Sequence, residues 1–186
     1  MKYRTIGPGK ESVSAIGLGC MVMNHGYGEA DEKGSIEVME KALELGINFW
    51  DTADVYASGE NERLVSSVLK PNRHKVFLAT KFGFIASAPG KFNGVDGSPA
   101  YVKKAVEESL ARLQTDYIDL YQQHHPDPSV PIEETLRALD DLVRQGKVRY
   151  IGCSNFRAHM VLEAMETSRR LGVEAFATAQ EQYNLI

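Results

Sequence analysis

The chain has 186 residues, a net charge of −4, 43% hydrophobic and 25% charged residues, which suits one soluble domain with a core of its own. Mild acidity offers no basic stripe for nucleic acid, and no run of about 18 apolar residues is present to span a membrane. Neither a signal peptide in the polar start MKYRTIGPGKESV nor a CxxC pair between Cys20 and Cys153 is found, so a reducing cytoplasm is the expected location.

The first seventeen residues carry two short apolar segments around a GPGK turn, a pattern that predicts a β-hairpin. SAIGLGC (14–20) then reads as a first buried strand. Residues 34–45 place Ile36, Met39 and Leu43 on one helical face and stop at Gly46. Strands are expected at INFWD (47–51) and KVFLATK (75–81), each a short apolar run of the kind buried in parallel sheets. FIASAPGKFNGVDGS (84–98), rich in Gly, Ala and Ser, reads as a long mobile loop. Ser98 as cap and Pro99 at the first helical position open a helix over 99–113 with Val102, Val106, Leu110 and Leu113 in phase. YIDLYQQH (117–124) is the next strand. A helix over 131–145 follows, with Ile132, Leu136, Leu139 and Val143 on one face and Gly146 at its stop. VRYIGCS (148–154), a helix over 158–171 ending at Gly172, and AFATAQEQ (175–182) complete the alternation.

Strand, loop, helix and glycine in repetition imply βα units, hence a parallel sheet with right-handed crossovers. An open doubly wound sheet and a (β/α)8 barrel both fit such units. The phosphate fingerprint GxGxxG is missing, and GLGCMV lacks its third glycine. Polar residues instead fall at strand ends: Asp51, Lys81, His124 and Ser154. Barrel enzymes place their chemistry at the carboxyl ends of the strands, which favours an α/β fold of the barrel type. A complete barrel takes about 250 residues. Six strands are visible before Ile186, so an incomplete barrel in one domain over 1–186 is the expectation.

These strand-end residues suggest proton delivery to a carbonyl. Tyr56 is a phenol with a reference pKa of about 10, and a neighbouring ammonium such as Lys81 should lower it. Asp51 would keep Lys81 charged, and His124 can donate a hydrogen bond to a carbonyl oxygen. Each residue also has an ordinary structural reading: Asp51 as a strand terminator or cap, Tyr56 as a half-buried aromatic. Lys81 resists one, because an ammonium ending the run VFLAT must find a partner. HHPDP lacks further His or Cys at ligand spacing, so no metal is expected there. Cys153 reads as a small buried residue.

The stretch GINFWDTADVYASGENERLVSSVL resembles the signature segment of the aldo-keto reductases, and the likeness runs from the first strand to the last residue. VFLATKFG, YIDLYQQHHPDP, IGCSNF and AQEQYNLI resemble later segments of that family. The resemblance implies a barrel of that type with a catalytic tetrad of Asp51, Tyr56, Lys81 and His124. It implies NADPH as cofactor, with Gly19, Cys20 and Met21 of GLGCM approaching it through the backbone. Ser154, Asn155 and Gln180 would then contact the nicotinamide carboxamide, and Asp51 would line the same site. Gln182 stands where many members have Glu. GKFNGVDGSPAYVKKAVEESLARL is most like the perakine-reductase-like and auxin-induced-like branch.

The implied reaction is NADPH-dependent reduction of aldehydes or ketones, with Tyr56 as proton donor. Segments that grip the adenosine phosphates in that family find no counterpart within these 186 residues, so a chain inactive for want of that grip is one alternative. A nucleotide-sensing regulatory subunit, like the ion-channel-associated proteins resembling this family, is another. The expected partner is a small carbonyl compound. Loops 22–32, 84–98 and 125–130, with Tyr27, Phe84, Ile85 and Phe92, point to an apolar or aromatic aldehyde.

Overall fold

The computed structural model describes residues 1–24, 31–88 and 91–184. A hairpin of β1 (Tyr3–Ile6) and β2 (Glu11–Ser14) comes first, its two strands antiparallel. The alternation then runs β3 (Leu18–Gly19), α1 (Glu32–Glu44), β4 (Phe49–Asp51), α2 (Glu60–Asn72) and β5 (Phe77–Phe82). Next is a second hairpin, β6 (Phe84–Ala88) with β7 (Lys91–Val95). The remaining elements are α3 (Pro99–Leu113), β8 (Ile118–Gln123), α4 (Ile132–Arg144), β9 (Val148–Ser154), α5 (Ala158–Leu171) and β10 (Thr178–Gln180).

Six strands form one parallel sheet in the order β10-β9-β8-β5-β4-β3, a half-barrel of the (β/α)8 kind. The order follows the chain, as stepwise right-handed crossovers require. Ser98 Oγ accepts from the Tyr101 amide at the start of α3, and Gly172 at φ +66 ends α5.

Two expectations change. The stretch 84–98 contains a β-hairpin rather than an unbroken loop: Phe84 pairs with Val95 and Ile85 with Gly94, which satisfies backbone groups a free loop would leave to water. The last strand is shorter than 175–182, being paired with β9 only at Thr178–Gln180. Helix α2 was not foreseen. Its apolar stripe of Leu64, Val65, Val68 and Leu69 is sound, but Pro71 falls inside its last turn and blurs the stop signal. Tyr27 lies outside the described residues.

Side-chain parity decides what faces the barrel interior. On β5, Phe77, Ala79 and Lys81 share one side, while Leu78, Thr80 and Phe82 face the helices. Phe77 and Ala79 pack with Leu120 of β8 and Val13 of the first hairpin, which thereby closes the amino end of the barrel. Trp50, fully buried on the opposite face, packs among Leu64, Val65 and Leu69 of α2. Burying a large apolar side chain of this kind contributes about 2 kcal/mol. The helix-side core continues through Phe82, Tyr121, Leu136, Leu139 and Ile151. Among the described residues no helix is long and apolar enough to cross a membrane.

Candidate active site

Parity and strand ends together bring the foreseen residues to one mouth. Asp51 closes β4 on the same side as Phe49, Lys81 is the last inward residue of β5, and His124 follows β8 in phase with Leu120 and Gln122. The strand ends are tied to one another. Cys20 N donates to Asp51 O (2.8 Å), Thr52 N to Ala79 O (2.9 Å), Asp54 N to Lys81 O (3.1 Å) and His124 N to Phe82 O (2.8 Å).

Lys81 is 2% exposed, and its Nζ donates to Asp51 Oδ2 at 2.6 Å and to Thr52 O at 2.9 Å. The same ammonium lies 5.3 Å from the centre of the Tyr56 ring. Tyr56 and His124 meet edge to face, their rings 5.8 Å apart. Phe84 of β6 approaches the His124 ring from another side at 4.8 Å, with the Phe92 ring of β7 5.0 Å from Phe84 and tilted by 38° to it. Asp51 and Tyr56 after β4, Lys81 on β5 and His124 after β8 thus converge on one point.

The electrostatics correct one expectation. The charge of Lys81 and its hydrogen bond do pull the Tyr56 phenol down, but burial outweighs them and Asp51 adds to burial, so the phenol sits above its ordinary value. At neutral pH Tyr56 therefore keeps its proton. His124 is pushed down to about 3 by burial, with Lys81 and then His125 adding to it, which makes it a neutral imidazole. Burial, with Asp51 adding to it, raises the Cys20 thiol to about 12, and burial raises that of Cys153 likewise, so neither is a thiolate.

The residues expected to hold a nicotinamide line the same mouth. Ser154 Oγ donates to Gln180 O (2.9 Å), and Asn155 Nδ2 donates to Ser154 Oγ (3.1 Å) and His124 O (2.9 Å). Asn155 adopts a left-handed φ of +60, which turns its side chain back over the strand ends. Gln180 is exposed, and its Nε2 donates to Asp51 Oδ2 at 3.2 Å. Gly19 is exposed, with open space where a side chain would stand, and Met21 is half-buried. Cys20 differs from these two. It is wholly buried, its N–H is given to Asp51 and its carbonyl accepts from Asn61 Nδ2 (2.8 Å), so its backbone is already engaged.

Two buried polar atoms here have no partner, Asp51 Oδ1 and His124 Nδ1. Desolvated atoms of this kind are costly unless something meets them. Together with the exposed Gln180 amide and the open Gly19 face, they fit an amide-bearing planar group at the mouth.

Several supporting residues were missed. Gln122, 2% exposed, lies against Gln180 with Nε2 3.4 Å from its Oε1. Glu62, fully buried on α2, accepts from Arg112 Nε (2.7 Å) and Thr80 Oγ1 (2.6 Å). The signal was present: Glu62 is in phase with Val65, Ser66 and Leu69, and Arg112 with Ala105 and Ser109. A charge in register with an apolar or small-residue face implies a buried partner.

Comparison with known proteins bears on the family and the fold. The profile of the Aldo/keto reductase family matches residues 15–186. Aldo-keto reductase YhdN of Bacillus subtilis (strain 168) is 42% identical over 188 aligned residues, covering 100% of this chain and 54% of that protein. Aldo-keto reductase yakc [NADP(+)] of Schizosaccharomyces pombe is 39% identical, covering 84% of this chain and 46% of its own. The solved structure of aldo-keto reductase AKR11C1 from Bacillus halodurans (holo form) superposes with a TM-score of 0.86 at 39% identity, over 98% of this chain and 58% of that one. The chain spans about half the length of the curated relatives it matches. With the half-barrel and the profile match in agreement, this chain belongs to the aldo/keto reductase family.

Proposed function

We propose that the protein of which these residues form the site reduces aldehydes or ketones to alcohols with NADPH, with Tyr56 as proton donor. The observation that carries this reading is the 2.6 Å Lys81–Asp51 pair set beside the Tyr56 ring, with neutral His124 on its other side. NADPH, when bound, supplies a hydride to the carbonyl carbon. Tyr56 Oη holds the proton that the substrate oxygen needs. Lys81 stabilises the phenolate left behind, and Asp51 keeps Lys81 charged in a site where burial disfavours the ammonium. Neutral His124 donates one ring N–H to the substrate oxygen and fixes its direction.

Ser154, Asn155 and Gln180 would hold the nicotinamide amide, and Gly19 and Met21 would face its ring. The phosphorylated form of the cofactor is preferred on the family resemblance and on the name of the yeast relative. Phe84 and Phe92, on the β6–β7 hairpin beside His124, suit an apolar or aromatic aldehyde. Two buried unpaired cysteines suit a reducing compartment such as the cytoplasm.

The test is consumption of NADPH by the complete protein when an aromatic aldehyde is added, followed by nicotinamide absorbance. Aldehyde-dependent oxidation of NADPH is expected. Its absence across aromatic and aliphatic aldehydes, in protein that binds NADPH, would instead favour a regulatory subunit.

A further inference from the structure

We infer that Arg112, on α3, is a positioning residue for Tyr56, acting through Gly59 and the buried carboxylate of Glu62. The kinetic part of this inference rests on the proposed reductase reading; the geometric part does not.

Tyr56 begins a turn that the backbone does not favour. Ala57 (φ +48), Ser58 (φ +56) and Gly59 (φ +92) are left-handed in succession, and the first two carry side chains. A left-handed residue other than glycine costs roughly 1–2 kcal/mol, so the turn persists only where surrounding contacts hold it. Backbone bonds such as Ser58 N to Val55 O (3.1 Å) hold it from within, and a side-chain contact comes from α3. Arg112 lies directly over Gly59: a methyl group there would stand 2.7 Å from Arg112 Cδ and 3.0 Å from its Nε. Glycine at 59 thus admits the left-handed backbone and the close approach of the arginine stem at once.

Arg112 is itself held. Its Nε donates to Glu62 Oε2 (2.7 Å), Nη2 donates to Ser109 Oγ (3.2 Å), and Nη1 lies 3.8 Å from Glu108. Glu62 Oε1 accepts from Thr80 Oγ1, next in sequence to Lys81. Asp54 N is bonded to the Lys81 carbonyl. The segment 54–62 is therefore fastened to β5 at both ends, and Arg112 presses on the strained turn between them. Asp54 shares this environment: burial, then Glu62, push its carboxyl well up against the pull of Arg112. None of these groups is placed to touch a substrate. Their effect on the reaction passes through the direction of the Tyr56 ring.

The test uses the complete protein with Arg112→Ala and Arg112→Lys, which keeps the stem over Gly59 and the charge beside Glu62. A misplacement of about 1 Å in a reacting group can cost on the order of 100-fold in rate. Arg112→Ala is therefore expected to lower kcat at least about tenfold while NADPH affinity stays within about twofold, and Arg112→Lys to recover most of the loss. If Arg112→Ala does not fold, the charge-balanced pair Glu62→Gln with Arg112→Met replaces it, with the same low kcat and intact affinity expected. Carbon-13 NMR of the tyrosine Cζ atoms reads the geometry without turnover. The Tyr56 resonance, assigned with Tyr56→Phe, should move in the Arg112 variant while that of Tyr3 stays. An unmoved Tyr56 resonance, an unchanged kcat, or kcat and affinity falling in proportion would overturn the inference. A wild-type protein with no turnover would instead overturn the reductase reading and leave the NMR result to decide this one.

Discussion

Lys81 Nζ stands 2.6 Å from Asp51 Oδ2, joining two adjacent parallel strands at the mouth of the half-barrel. The pair is unequally buried: the lysine side chain is 2% exposed and that of the aspartate 19%. Lys81 therefore depends on Asp51 more than Asp51 depends on Lys81.

That asymmetry predicts the order of two substitutions. Asp51→Ala leaves a buried ammonium with the Thr52 carbonyl and the Tyr56 phenol but no anion beside it, and stability should fall by about 3 kcal/mol. Lys81→Met leaves a partly exposed carboxylate whose Oδ2 still accepts from Gln180 Nε2, and should cost less. Urea denaturation of both variants checks this, and a reversed order contradicts it.

His124 gives the protein an acid sensitivity of its own. Its folded pKa, about 3, lies below the value near 6.5 of an unfolded histidine. The unfolded chain therefore takes up a proton first, and the stability His124 contributes above pH 6.5 is lost as pH falls toward 3. The loss is on the order of 5 kcal/mol when complete. His124→Asn should flatten the slope of stability against pH between 6.5 and 3. NMR of the ring nitrogens should show no titration of His124 at pH 5, and a midpoint near 6 would refute the buried neutral state.

At the opposite end of the barrel the buried charge is structural. Asp119, 2% exposed, accepts from Arg73 Nη2 (2.7 Å), Arg149 Nη1 (2.8 Å) and the Leu78 amide (2.9 Å). Arg149 also pairs with Glu11 of the first hairpin. Asp119→Ala leaves two cations facing each other without their shared anion and should lower stability by about 3–5 kcal/mol, with little change in NADPH affinity. Thermal unfolding and nucleotide titration read the two effects separately.

Gln180 offers the complementary case. Its exposed amide is bonded to Asp51 and lies beside Gln122, so it stands preset at the mouth. Gln180→Ala should weaken NADPH binding by about tenfold, the value of one lost hydrogen bond of about 1.4 kcal/mol, with stability nearly unchanged. Unaltered affinity would remove Gln180 from the cofactor site.

The fold was legible wherever one local signal decided the matter. Ser98–Pro99 at the start of α3 and Gly172 at the end of α5 mark helix ends, and parity along VFLATK puts Lys81 on the inward side. Convergence of Asp51, Lys81 and His124 was legible for the same reason, since each ends a strand of one parallel sheet. What escaped depends on contacts distant in sequence. The β6–β7 hairpin is hidden because its β-formers, Phe84, Ile85, Phe92 and Val95, sit at the ends of short stretches otherwise filled by Ala, Ser, Asn and Gly, with no sustained alternation. The raised Tyr56 phenol depends on how deeply the ring is buried, which no pattern of charges reveals. The Arg112–Glu62 pair joins α3 to α2 across fifty positions, and the sequence shows only two charges on faces where charges are unwelcome.

The most direct measurement is single-turnover reduction of an aromatic aldehyde by the complete protein carrying Tyr56→Phe, with NADPH affinity determined in parallel. Loss of the proton donor should lower the rate by about 100-fold or more while NADPH still binds within about twofold of wild type. A rate within a few-fold of wild type would contradict Tyr56 as the donor, and with it the proton-delivery role assigned to Lys81, Asp51 and His124.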